Sequence, residues 1–434
     1  MSYDVAVFGL GKLGLPVAVQ YALSGLQVIG VDVNPKVVEL INSGFEPFPG
    51  EVDLASKLVD VVKGGRMRCT TNGARAVAGS STVVVMVPVV VDSALNPDFI
   101  NLDNVVDVLS EGIQPGTLVI LETTVPVGTT RQRVAKEIEA RSGLVADMDF
   151  MVAFSPERVL TGRVFADLRR YPKVVGGIGP SSASKAKAFY MRALSFDERP
   201  DLARENGVWD VGSAEAAELV KLAETTYRDV NIALANTFAL FAESVGLDVE
   251  PIIEAANSQS FSHIHSPGVA VGGHCIPVYP HLYLSSDPGA RLVAEARAVN
   301  KKMPKHAVRE LDRALGSLVG QTVVVLGASY RGGVKETAFS GVWDLVREIT
   351  DFGGLPVVFD PMFSDDELRS IQLEPYVLGR YAAGAIVQAD HPEFEELCKA
   401  FIPGLRAIYD GRRILDPTKF EGVELLKIGS GIVG

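Results

Sequence analysis

The sequence predicts an α/β fold, with two doubly wound parallel-sheet domains joined by a long central helical region. Three observations predict it. A short apolar strand, Asp4–Phe8, runs straight into a glycine-rich turn and an apolar-periodic helix, Leu13–Ser24. A second strand–helix alternation opens at Thr322–Leu326. Between the two lies Ser213–Val245, a helical stretch with few breakers. Strands that alternate with helices form parallel sheets wrapped by those helices.

After the first helix, Val28–Val33 reads as a second strand, and Thr82–Val87 and Leu118–Glu122 as further ones. Met151–Phe154 and Lys173–Gly177 read as later strands of the same domain. In Ser213–Val245 apolar residues recur at helical spacing (Leu219, Leu222, Ile232, Phe238, Phe241), and a second helical stretch runs from Gly289 to about Leu315. Asn257–Pro280 is rich in Gly, Pro, Ser and His, too polar for core and too structured for a linker. Val357–Asp360, Ala385–Val387 and Ala407–Tyr409 complete the second alternation. The expected division is 1–200, 201–315 and 316–434.

Composition bounds the function. The 434 residues are 47% hydrophobic and 22% charged, with a formal net charge of −12. No block of Lys and Arg is long enough to track a phosphate backbone, so no nucleic-acid partner is expected. An anionic ligand must be met by a few placed cations or helix N-termini. Cys69, Cys275 and Cys398 are too few and too scattered for a disulfide framework, which fits a reducing, cytoplasmic compartment. Val5–Gly9 already reads as a strand, so no signal peptide is expected. The most apolar run, Val83–Val91, is too short to span a bilayer and contains Pro88, so no membrane partner is expected either.

Gly9-Leu-Gly-Lys-Leu-Gly14 fits G-x-G-x-x-G between a strand and a helix, the Rossmann-like arrangement. Its glycines permit the tight turn, the approach of a pyrophosphate and close helix–strand packing. Asp32 ends the second strand 18 residues past Gly14, near the ~20 expected of an acid that accepts from a ribose hydroxyl. A carboxylate there repels a 2′-phosphate, so NAD is the expected cofactor.

Gly272-Gly-His-Cys-Ile-Pro-Val278 is the most specific segment elsewhere. Its glycines leave backbone bare for a ligand, and Pro277 and Pro280 stiffen the chain beyond the cysteine. With these motifs the chain resembles the UDP-glucose/GDP-mannose dehydrogenase family over essentially its whole length. The other shared segments are Glu122-Thr-Thr-Val-Pro-Val-Gly-Thr-Thr130, Ser155-Pro-Glu-Arg-Val-Leu-Thr-Gly162, Ala217-Glu-Leu-Val-Lys-Leu222 and Val325-Leu-Gly-Ala-Ser-Tyr-Arg331. The Ser-Pro-Glu-Arg form is nearest the UDP-N-acetylhexosamine branch, with UDP-glucose or a thymidine nucleotide sugar as the other candidates.

The resemblance implies two successive NAD-dependent oxidations at one site, turning a nucleotide sugar's C6 alcohol into a carboxylate. It implies a homodimer or higher homo-oligomer built on the central helix, and a C-terminal domain that grips the nucleotide diphosphate. It makes Cys275 the nucleophile, because a covalent thiol adduct splits one hard step into easier ones. Lys221 becomes the cation facing the developing oxyanion. Glu157 and Thr124 become the residues that position or activate water. Gly9, Gly11, Lys12, Leu13, Gly14, Asp32, Pro88 and Thr124 are the expected cofactor contacts. Glu157, Arg158, Val159, Lys221, Thr225, His265, Gly272, Tyr330 and Arg331 are the expected substrate contacts.

Four positions depart from the family pattern. Thr225 stands for an asparagine, Tyr279 for an aspartate, Phe261 for an arginine and Ala338 for an arginine. Without the family, Lys221 reads as a surface lysine paired with Glu218 or Glu224, Glu157 as a plain helix-start acid and Thr124 as a turn residue. His263, His265 and His274 fit no standard zinc spacing, so no metal is expected. The competing functions are a one-step alcohol or 3-hydroxyacid dehydrogenase and a non-catalytic sugar-nucleotide binder.

Overall fold

The computed structural model describes residues 2–431. They divide into two compact units, Met1–Glu224 with His281–Ser286 and Thr225–Pro280 with Asp287–Gly434.

In the first unit eight strands form one sheet: β1 (Tyr3–Phe8), β2 (Val28–Val31), β3 (Met67–Thr70), β4 (Ser80–Val85), β5 (Leu118–Leu121), β6 (Met151–Phe154), β7 (Lys173–Gly177) and β8 (Val208–Asp210). Their order is β8-β7-β6-β5-β4-β1-β2-β3. The strands are short, continuous apolar runs because both faces are covered. Val5 and Val7 pack with α1 (Gly14–Leu23) on one face, while Ala6 and Phe8 pack with Leu102, Val106 and Ile138 on the other. Every pairing is parallel except β6 with β7. The purely parallel expectation therefore gains one antiparallel step, at Ala153–Phe154 against Gly176–Gly177. Strands β3 and β8 carry no strong periodic signal, since Met67–Thr70 and Val208–Asp210 are only four and three residues long.

The second unit carries a five-stranded, all-parallel sheet in the order β10-β9-β11-β12-β13, from β9 (Thr322–Leu326), β10 (Leu355–Phe359), β11 (Gly384–Val387), β12 (Ala407–Asp410) and β13 (Glu424–Lys427). It too is covered on both faces.

Helix α3 (Ala214–Ser244) is continuous through Glu224 and Thr225, where one unit gives way to the other. Its inward positions are small: Ala214, Ala217, Ala233, Ala235, Ala239 and Ala242 are all buried. Of the large apolar residues that set its period in the sequence, Leu222 is fully buried but Leu219, Phe238 and Phe241 are exposed. The helical period is real, but it does not mark core. Asn257–Pro280 is mostly irregular and does include core, since Val269 and Ala270 pack with Ala307 and Val342. It leads into α4 (Tyr279–Ser286). Among the described residues no helix is long and apolar enough to cross a membrane.

Candidate functional site

In a parallel sheet the loops at the carboxyl ends of the strands share one edge, and ligands bind where the strand order reverses. Here β1 lies between β2 and β4, so the reversal falls beside the β1 loop. That edge carries Gly9–Gly14 after β1, Asp32 after β2, Pro88 after β4, Thr124 after β5 and Glu157–Val159 after β6.

The three glycines differ in why they are glycine. Gly9 has φ +89°, in the left-handed region, and a Cβ there would meet Met86 O at 3.0 Å. A Cβ on Gly14 would fall 1.9 Å from Gly9 O, so the turn itself forbids one. A Cβ on Gly11 would meet nothing within 4 Å, so the protein leaves open the space a pyrophosphate would approach. Leu13, at the start of α1, offers no side-chain cap, and the first turn holds no acid. The positive helix end is thus left for an anion. Asp32 accepts from Leu10 N–H (3.0 Å) and Asn34 N–H (2.9 Å), bracing the glycine loop while staying half-exposed. Lys12 and Pro88 are exposed, and Thr124 is buried. These residues suit NAD, which when bound supplies the hydride acceptor.

Behind the loop after β6 lies a buried ionic cluster. Glu157 turns its carboxylate inward: Oε1 accepts from Arg158 N–H (2.7 Å) and Val159 N–H (3.2 Å), and Oε2 from Lys173 Nζ (2.9 Å). Lys173 Nζ also lies 3.2 Å from Glu122 Oε2. Glu122 Oε1 accepts from the hydroxyls of Tyr21 (3.0 Å) and Tyr190 (2.5 Å). Glu122, Glu157 and Lys173 are each under 9% exposed. Burial pushes the Glu122 carboxyl up to about 7 against the pull of Lys173, with Glu157's charge adding to the rise. Burial also acts to raise Glu157, but the Lys173 charge and the donors on its oxygens outweigh it and hold it below the ordinary value. Lys173 is held above its own ordinary value, because its two carboxylates outweigh burial. The sequence motif contains Glu122 without giving it a role, and motif reading passes over Lys173, Tyr21 and Tyr190. The available signal was a lysine opening an otherwise apolar strand.

Lys221 on α3 donates to the main-chain carbonyl of Glu157 at 2.5 Å. The two carboxylates that helical spacing offers as its surface partners have other work. Glu218 is buried and accepts from Gly128 N–H (2.5 Å) and Thr130 N–H (2.8 Å). Burial pushes it up to about 7 in spite of those donors. Glu224 pairs with Arg158 (2.5 Å).

In the second unit, Gly272 and Gly273 each make a close packing contact that only glycine allows. A Cβ on Gly272 would sit 2.6 Å from Tyr330 Cβ, and one on Gly273, at φ +93°, would sit 3.2 Å from the Tyr330 ring. Cys275 comes two residues later, partly exposed, with its carbonyl accepting from Tyr279 N–H (2.9 Å) at the start of α4. His274 is exposed and 3.8 Å from Glu336. Cys69 is a different kind of thiol: burial pushes it up to about 12, so it holds its proton.

Tyr330 sits on the loop after β9, and its hydroxyl accepts from Arg331 Nε (3.3 Å). That loop is fixed from below by Asp360, which takes the N–H groups of Ala328 (2.8 Å) and Ser329 (2.9 Å) and pairs with His391 (3.1 Å). Burial opposes ionisation of Asp360, but these donors bring it down to about 2. His265 is tied by its backbone to Asn231 (2.9 Å) and packs edge-on to Tyr227. Its imidazole is held below the ordinary value by burial and the Arg228 charge. Thr225 is buried, and Phe261 is 90% exposed.

Comparison with known proteins gives this architecture a family. Residues 3–194 match the NAD binding domain of the UDP-glucose/GDP-mannose dehydrogenase family, and residues 215–302 its central domain. The UDP-N-acetyl-D-mannosamine dehydrogenase of Pyrococcus horikoshii is 35% identical over 95% of this chain and 96% of its own. The enzyme of that name from Escherichia coli K12 is 31% identical over 82% of this chain and 85% of its own. Among solved structures, the UDP-D-ManNAc dehydrogenase of Pyrococcus horikoshii superposes with a TM-score of 0.88 at 33% identity, covering 99% of this chain and 100% of that one. A UDP-N-acetyl-mannosamine dehydrogenase from Staphylococcus aureus gives 0.83 at 26%, covering 98% and 99%. With this similarity spanning nearly its whole length, the chain belongs to the UDP-glucose/GDP-mannose dehydrogenase family of NAD-dependent oxidoreductases.

Proposed function

We propose that the chain oxidises the C6 alcohol of UDP-N-acetylmannosamine to the carboxylate, through a thiohemiacetal and a thioester on Cys275. Cys275 alone among the three cysteines pairs partial exposure with a place in the Gly-Gly-His-Cys motif. NAD, when bound at the glycine loop, would supply the hydride acceptor for each of the two oxidations. The first leaves an aldehyde. The Cys275 sulfur then forms a bond to the aldehyde carbon, leaving an oxyanion that the Lys221 ammonium stabilises. Loss of the second hydride gives the thioester. Water adds to its carbon, the C–S bond breaks, and the acid leaves with three protons released overall. Thr124 orients the water. Glu157, with its oxygens engaged by three donors, serves here by holding its loop rather than by taking a proton.

The observation that carries this reading is Lys221, an ammonium pinned to a rigid carbonyl beside a loop at the ligand edge of the sheet. Gly9, Gly11, Lys12, Leu13, Gly14, Asp32, Pro88 and Thr124 hold the cofactor. Arg158, Val159, Thr225, His265, Gly272, Tyr330 and Arg331 meet the substrate. The region 201–315 joins two chains in a homodimer, supported by the exposed Leu234, Phe238 and Phe241 of α3. The compartment is the cytoplasm. The test is NADH formation across a panel of nucleotide sugars. Highest kcat/KM with UDP-N-acetylmannosamine and two NADH per acid support the proposal; one NADH per turnover with release of aldehyde refutes the covalent route.

A further inference from the structure

The cluster behind the loop after β6 has a direction. Tyr21 on α1 and Tyr190 on α2 (Pro180–Ala193) hold Glu122 at the end of β5. Glu122 shares Lys173, the first residue of β7, with Glu157. Glu157's carboxylate closes the turn onto Arg158 and Val159 N–H, and its carbonyl holds Lys221. Four elements of the domain thus converge on one ammonium through a chain of contacts no longer than 3.2 Å.

We propose that Lys173, braced by Glu122, is a positioning residue for Lys221: it anchors the Glu157 side chain so that the Glu157 carbonyl fixes the Lys221 ammonium. This rests on the assignment of Lys221 to the reacting centre.

The physical case is that two carboxyls and one lysine are buried together where no water can substitute. Without Lys173 the Glu122 and Glu157 carboxyls face each other with no cation between them, and both favour their neutral forms. The turn at Glu157–Val159 then loses its anionic acceptor, and its carbonyl is free to swing. The Lys221 ammonium then loses the acceptor that fixes its place. The charged groups around this chain of contacts are Glu122, Glu157, Arg158, Lys173, Glu218 and Glu224, with the phenols of Tyr21 and Tyr190.

Lys173→Met and Lys173→Arg test it, with kcat and the KM for NAD measured for each. Lys173→Met lowers kcat by roughly 100-fold, the scale of a 1 Å misplacement. It leaves the KM for NAD unchanged. Lys173→Arg restores most of the rate. A purely structural role would raise the KM for NAD while lowering kcat, and that outcome, or a wild-type kcat in Lys173→Met, overturns the proposal. Should Lys173→Met fail to fold, the double variant Glu122→Gln/Lys173→Met buries one carboxylate fewer and carries the same test. Lys221→Met run alongside separates the two ideas. An active Lys221→Met refutes the assignment of Lys221 itself. An inactive Lys221→Met with an unaltered Lys173→Met refutes only the anchor.

Discussion

Gly11→Ala and Gly14→Ala should fail for opposite reasons. At Gly14 the added methyl lands 1.9 Å from Gly9 O, so helix α1 and the turn must separate by more than 1 Å. Overpacking of this kind costs roughly 1–3 kcal/mol, a fall of about 2–12 °C in the melting temperature of a domain this size. At Gly11 φ lies outside the left-handed region and the methyl meets nothing. The unliganded protein should melt at the wild-type temperature or slightly above, since alanine restricts the unfolded chain by about 0.4–1 kcal/mol. The methyl instead occupies the space of the pyrophosphate. NAD affinity should fall at least about tenfold, or roughly 1.4 kcal/mol. The stabilisation by saturating NAD should shrink by the same amount. Differential scanning fluorimetry with and without NAD, beside calorimetric titration, reads both effects. A Gly11→Ala protein that melts early without NAD, or binds NAD like wild type, would refute the distinction.

Cys275→Ser should abolish acid formation, because an alkoxide is a poor substitute for a thiolate, while Cys69→Ala and Cys398→Ala keep it; product analysis decides. NADP should support little turnover, and Asp32→Asn should lower the NAD/NADP ratio of kcat/KM about tenfold or more. One amide oxygen can still accept from Leu10 N–H, so the loop should hold. Glu122 and Glu218, both raised to about 7, bind a proton in the folded state that they lose in the unfolded one. Their stabilising share is complete below the unfolded value near 4.5 and is lost as pH rises through about 7. Denaturant midpoints at pH 5 and pH 8 should therefore differ less in Glu122→Gln than in wild type, and an equal difference would show that Glu122 is ionised throughout.

The local signals carried far. G-x-G-x-x-G with Asp32 marked a tight strand–helix turn braced by a strand-end acid, because both are set by neighbours in sequence. Strands such as Met151–Phe154, Lys173–Gly177 and Thr322–Leu326 were legible because burial on both faces demands unbroken apolar runs. The motif resemblance named the family.

The tertiary structure decided which side chains meet. Glu122 and Glu157 are 35 residues apart and Lys173 lies 16 further on, yet strand pairing makes them one buried cluster. No periodicity encodes a long-range ion pair, because each residue alone looks like an ordinary surface charge. The same holds for Gly272 and Gly273, whose need for glycine comes from Tyr330, a residue more than 50 positions away. On α3 the sequence showed the helical period but not which face is core: packing in the folded unit put alanines inward and left Phe241 65% exposed. The period of a helix is a local property of its sequence; which of its faces turns inward depends on the bulk of the neighbours it must approach.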